Sequence, residues 1–194
     1  MSHGRTRLLF GLLWLAGTSV LATPAWSQRP DASAAQKVAI EKLSHWFGEW
    51  QGSGWAMRGP EAREEFTVTE IVQPKLGGVI VLVEGRGEGK APGSNEVVVG
   101  HDALAIVSYD AGSGTYGFRH YTMQGGSGED ELVLTEKGMA WELASAKLPF
   151  RMRFVIELDG DTWHEYGEMS RDGTNWTRTM EMTLKRITND STKP

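Results

Sequence analysis

From residue 49 to residue 186 the apolar residues recur with a period of two, and turn formers interrupt them about every ten positions. Segments of this kind, with no helical pattern between them, bury their apolar faces only as antiparallel sheet. The pattern predicts strands over 49–58, 62–73, 78–86, 101–110, 115–123, 129–136, 138–145, 150–159, 161–170 and 175–186. In the eighth, Phe150, Met152, Phe154, Ile156 and Leu158 alternate with Arg151, Arg153 and Glu157. In the last, Trp176, Met180, Met182, Leu184 and Arg186 share one parity against Thr177, Thr179, Glu181 and Lys185. Asp159-Gly160 and Asp172-Gly173 are tight-turn dipeptides, and the stretch 85–100, rich in Gly, Pro and Ser, reads as a long loop at one end. Short links between neighbours favour closure over a sandwich, which needs longer crossovers. The expected fold is therefore all-β: an antiparallel up-and-down barrel of about ten strands over residues 48–187.

The chain before the sheet has a different character. Residues 1–27 have the layout of a cleavable signal peptide, with Arg5 and Arg7 ahead of a glycine-broken apolar run and Ala25-Trp26-Ser27 as small-residue cleavage site. That run is too short and interrupted for a retained membrane span. The chain contains no cysteine, which excludes lipid attachment at a processed N-terminal Cys, disulfides and thiolate metal sites. A periplasmic or secreted protein is expected. Cleavage removes two of 20 basic residues and none of the 25 acidic ones, taking the formal charge from −5 to −7. Such a balance, with no basic run, argues against nucleic acid as a partner. Residues 28–32 read as a polar leader. From 33 to 47 the period turns helical, with Ala39, Leu43, Trp46 and Phe47 on one face and Gly48 as the stop. One short helix of this kind needs a docking surface, and one end of the barrel offers it. Residues 188–194 read as a frayed tail.

The two ends of the sheet carry a motif. Gly48-Glu49-Trp50 resembles the Gly-x-Trp signature on the first strand of lipocalins and related calycin barrels. That resemblance implies that Trp50 packs across the closed end and that Arg186, on the last strand, lies over its indole as a cation–π contact. The longer run Gly48-Glu49-Trp50-Gln51-Gly52-Ser53-Gly54 is similar to the opening of nitrobindin-like haem barrels. With Leu43 and Phe47 before it, and Ser170, Asp172, Gly173, Trp176, Met182, Leu184 and Arg186 at the other end, the arrangement resembles a bacterial lipocalin-like family of unknown function. On the residues alone, Trp50 is equally well explained as plain core, with Gly52 and Gly54 letting a strand bend.

Most candidate chemistry fails on context. Gly112, Gly114 and Gly117 spell a dinucleotide-binding motif, but an alternating strand follows where a helix is required. Of the five histidines, His3 falls in the expected signal peptide and the other four, His45, His101, His120 and His164, are scattered one per segment, so no metal site is nominated. The nitrobindin resemblance implies a late-strand histidine as haem ligand, for which His164 is the candidate. No Gly-x-Ser-x-Gly elbow is present, and no catalytic residue is nominated. Glu65, Glu70, Glu165 and Glu168 fall on expected strands, where carboxylates mostly face water. A two-residue turn at Asp159-Gly160 would set Phe154 opposite Glu165 and Arg151 opposite Glu168, with Glu165 inward near Arg119 and Tyr121; a turn one residue longer rotates Glu165 outward. The function expected is binding of a small apolar or amphipathic molecule inside the barrel. Its wall is expected to comprise Trp55, Phe66, Tyr109, Tyr121, Trp141, Phe154, Trp163 and Trp176, with Arg119 and Glu165 as polar groups. Two other classes stay open: a barrel enzyme with an interior acid–base pair, and a filled barrel acting through its surface.

Overall fold

The computed structural model describes residues 33–59, 62–143 and 149–188. The expected signal peptide, the polar leader and nearly all of the tail lie outside the described residues. Ten alternating segments form ten antiparallel strands: β1 (Gly48–Met57), β2 (Arg63–Lys75), β3 (Ile80–Lys90), β4 (Val97–Asp110), β5 (Thr115–Thr122), β6 (Ser127–Leu134), β7 (Gly138–Leu143), β8 (Arg151–Asp159), β9 (Thr162–Ser170) and β10 (Thr177–Arg186). Each pairs with the next, and β1 pairs with β10 with Trp50 opposite Arg186, so the sheet is a closed up-and-down barrel. Closure removes both edges, which would otherwise present unpaired backbone groups. One parity of each strand faces inward, and Trp50, Val72, Val81, Val107, Leu132, Met139, Ile156, Trp163 and Leu184 are almost wholly buried there. Each such side chain contributes roughly 1.5–3 kcal/mol on burial, so packing and closure hold this cysteine-free chain together.

One end of the barrel is plugged. The helix α1 (Ala34–Glu41) buries Ala39 and Ile40, and a 3₁₀ turn over Ser44–Trp46 follows it. The expected single helix over 33–47 is thus broken. Leu43 and Trp46, three residues apart, share a face in a 3₁₀ turn as well as in an α-helix, and the tighter turn delivers the chain to β1. Both are buried, whereas Phe47 is only partly so. The Tyr116 hydroxyl donates to the Ala39 carbonyl at 2.8 Å and ties α1 to β5. The end-strand motif forms as the resemblance implied: the Arg186 guanidinium lies 4.0 Å from the Trp50 ring centroid. It also donates to the carbonyls of Phe47 and His45 and to Asp161. The Trp50 Nε1 donates to the Trp46 carbonyl at 3.0 Å. Gly48 has a φ of 132°, and a Cβ there would lie 2.7 Å from Arg186 Nη1, so glycine meets both demands.

Two local expectations need correction. The break at 85–100 shrinks to residues 91–96, because β3 runs to Lys90 and β4 starts at Val97. Gly85, Gly87 and Gly89 belong to β3 at inward positions, where the missing side chains make room rather than a loop. The β8–β9 turn is Gly160-Asp161, so Phe154 faces Gly167, Ile156 faces Glu165 and Arg153 faces Glu168. Pairing moves by two residues, which leaves every side chain on its face, and Glu165 stays inward. Arg153, not Arg151, pairs with Glu168 at 2.7 Å, and Arg151 pairs with Glu142 instead.

Candidate functional site

Beyond the plug the barrel is hollow. A cavity of about 710 Å³ extends toward the turns after β1 and β5, where Arg58 and Gln124 line it. Its volume is within the range of small-molecule sites. One wall is a run of aromatic rings that spans the β5–β8 side of the barrel: Phe118 on β5, Trp141 on β7 and Phe154 on β8, with the inward face of β6 between the first two. Ring centroids lie 4.6 Å apart for Phe118–Trp141 and 5.2 Å for Trp141–Phe154, the latter pair stacked at 16°. Phe66, Val68, Val83, Ala105, Met180 and Met182 complete an apolar lining.

Two carboxyl groups interrupt that lining. Glu70 on β2 and Glu165 on β9 are 8% and 7% exposed, and both line the cavity. Glu70 faces Gly85 across the β2–β3 pair, and a Cβ on Gly85 would lie 2.5 Å from Glu70 Oε1. The glycine therefore creates the room this carboxyl occupies. The Trp163 Nε1 donates to Glu165 Oε2 at 3.1 Å, and Trp163 in turn packs edge-on against Trp46 and Trp50 at 5.4 and 5.6 Å. Burial pushes the Glu70 carboxyl up to about 8, and the charge of Glu165 adds to that. Burial likewise raises Glu165 to about 8, against the opposing pull of the Trp163 N–H. Among the described residues no hydrogen-bond donor or cation satisfies Glu70. Trp46 Nε1 is a buried donor without a partner in the same set.

The remaining ionisable groups of the lining lie elsewhere. Arg58 pairs with Glu64 at 2.6 Å, while Glu65, Glu88 and His101 also line the cavity. Burial lowers the His101 pKa, with Asp102 pulling the other way. His120 on β5 lies with its Nδ1 3.6 Å from Asp130 Oδ2 on β6, and neither atom has a hydrogen-bond partner among the described residues.

Of the residues expected at the wall, Phe66, Trp141, Phe154, Trp163 and Glu165 line the cavity together. The others lie elsewhere. Trp55 is five positions after inward Trp50, so it points outward, where Arg63 stacks on it at 3.8 Å. Tyr109 has the inward parity but sits at the plugged end, 4.9 Å from Tyr116. Arg119 and Tyr121 alternate with inward Tyr116, Phe118 and His120, so they point outward. Arg119 pairs there with Glu129, and Tyr121 is 44% exposed. Trp176 precedes β10, and an irregularity between Arg178 and Met180 breaks the parity that linked it to Met182. Its ring lies on the outer surface beneath Arg153, 4.1 Å away. His164, the haem-ligand candidate, also faces outward and shares a 2.8 Å hydrogen bond with Glu181. Glu70 was missed as a site residue. In Phe66-Thr67-Val68-Thr69-Glu70-Ile71-Val72 it occupies an apolar-parity slot, and that misfit was the available signal.

No protein-family model matches the chain, and no curated protein matches it in sequence. Solved structures do match its fold. The crystal structure of Rv2717c from M. tuberculosis aligns with a TM-score of 0.56 at 15% identity, covering 77% of this chain and 98% of that one. The S-type phycobiliprotein lyase CPES from Guillardia theta aligns with a TM-score of 0.54 at 11% identity, covering 82% and 99%. At these identities the likeness is one of fold: a calycin-like β-barrel.

Proposed function

We propose that this protein is an exported carrier or receptor barrel that binds a small apolar or amphipathic molecule in its interior. The observation that supports this most directly is the cavity of about 710 Å³, walled by Phe118, Trp141 and Phe154 and floored by two buried carboxyls. The apolar wall supplies affinity at roughly 25 cal/mol per Å² buried, and the carboxyls orient the bound molecule. Export rests on the layout of residues 1–27. The structural similarity to a phycobiliprotein lyase is consistent with a barrel that handles a small molecule. A hollow interior also weighs against the filled barrel acting only through its surface.

The test is a titration with decanol and with farnesol, followed by tryptophan emission. Saturable change with one or both, lost on filling the cavity by Ala103→Trp, supports the reading. A flat response to both, with the fold intact by circular dichroism, refutes it.

The buried pair also favours a second reading. Two carboxyls whose pKa values are displaced into the neutral range, converging in one cavity, are suited to move a proton between two atoms of a bound substrate. That activity requires turnover abolished by Glu165→Gln with ligand binding retained.

A further inference from the structure

We propose that the cavity selects an organic cation, an amine or quaternary ammonium on an apolar or flat aromatic body, with its charged nitrogen held between Glu70 and Glu165. This rests on the ligand-binding reading and specifies the class of ligand. Three features of the interior carry it.

The first is an unanswered acceptor. Glu70 is 8% exposed, lines the cavity, and has neither hydrogen bond nor ion pair among the described residues. A buried carboxyl left alone is costly, and native proteins normally satisfy such groups. Gly85 has no side chain where one would collide with this carboxyl, so the group is accommodated at its inward position. The second is the charge balance around the pair. Glu165 takes one N–H from Trp163 and leaves its other oxygen open. Among the described residues the sole arginine of the lining, Arg58, is at the rim and engaged by Glu64. His101 is held toward its neutral form by burial, and His120 lies beside Asp130. Glu64, Glu65 and Glu88 add negative charge to the lining. An anionic head group would pass those carboxylates and find no free cation among the described lining residues, and it would gain nothing from ionisation of the deep pair, whereas a cation supplies what Glu70 lacks. The third is the aromatic wall: the faces of Phe118, Trp141 and Phe154 attract cations and accept flat apolar bodies.

Binding a cation there favours the charged carboxylate. Near pH 7 each carboxyl largely keeps its proton in the empty site, so amine binding releases a proton to solvent and affinity rises with pH toward 8.

The experiment compares decylamine, decanol and decanoate, which share a chain and differ in head group, by isothermal titration calorimetry at pH 7 in two buffers of different ionisation enthalpy. Decylamine is expected to bind at least tenfold more tightly than decanol, with decanoate weakest and a net release of protons on amine binding. In the E70Q/E165Q variant the amine-to-alcohol ratio should fall below threefold. Glu70→Gln alone, which leaves the Trp163 bond untouched, should lower that ratio too. Decanol or decanoate equal to or tighter than decylamine overturns the inference and leaves the ligand-binding reading standing. So does an amine preference that survives both variants. Failure of all three to bind removes the reading itself and the inference with it.

Discussion

Replacing Glu70 and Glu165 together by glutamine is expected to stabilise the barrel, and by more as pH rises. Each carboxyl is raised from 4.5 to about 8 on folding, chiefly by burial. Between those values the folded protein holds protons that the unfolded chain has released. The stability linked to each group is therefore whole below about pH 4.5 and is lost as pH climbs through about 8. The ceiling on the slope is about 1.4 kcal/mol per pH unit per group. Cavity solvation and relaxation reduce it, so the pair should lose roughly 2–4 kcal/mol of stability from pH 5 to pH 8. The two titrate as a coupled pair, so the loss is not divided between them. Glutamine matches glutamate in shape, can accept from Trp163 Nε1 and does not titrate. Urea unfolding of both proteins at pH 5, 6, 7 and 8 reads the difference, in which other titrations cancel. A gap widening toward alkaline pH is the expected result. Parallel profiles would refute the claim that these carboxyls are buried and unpaired.

Arg186→Ala removes the stack on Trp50 and three hydrogen-bonded contacts, and should cost about 2–4 kcal/mol in urea unfolding, with Arg186→Lys recovering less than half. Gly85→Ala places a methyl against the Glu70 carboxyl and should cost roughly 1–3 kcal/mol by thermal unfolding; in the Glu70→Ala background most of that cost should vanish. Trp141→Phe should reduce the ligand-induced change in tryptophan emission and leave the part reported by Trp163, whereas Trp176→Phe, on the outer surface, should preserve the whole change. Protein recovered from its native source should begin at Gln28 by N-terminal sequencing, if residues 1–27 are a cleaved signal.

The barrel was legible because period-two alternation and turn residues are local signals that the tertiary structure did not override. The strand ends fall within a few residues of expectation, apart from those flanking the β3–β4 turn. There the pattern misled, since Gly85, Gly87 and Gly89 alternate with Glu84, Arg86 and Glu88 and mimic loop composition. Their reason for being glycine lies on other strands, in the space that Glu70 and the cavity need. The wall was half legible. Phe66, Trp141, Phe154, Trp163 and Glu165 keep the parity of their strands, and Trp163 and Glu165 stay inward despite the displaced turn. Trp55, Arg119 and Tyr121 take the outward parity of their strands, so aromatic or charged type alone does not mark an interior residue. Trp176 leaves the face of Met182 because of a β10 irregularity that has no signature in the residues around it. Tyr109 failed differently: parity says which face a side chain takes, not how far along the barrel axis the plug extends.

The most direct test of the account is a crystal structure of the protein with decylamine bound. The account predicts β1 hydrogen-bonded to β10, the alkyl chain against Trp141 and Phe154, and the nitrogen within hydrogen-bonding distance of Glu70 or Glu165. An interior filled by side chains, or an amine bound only on the outer surface, would contradict it.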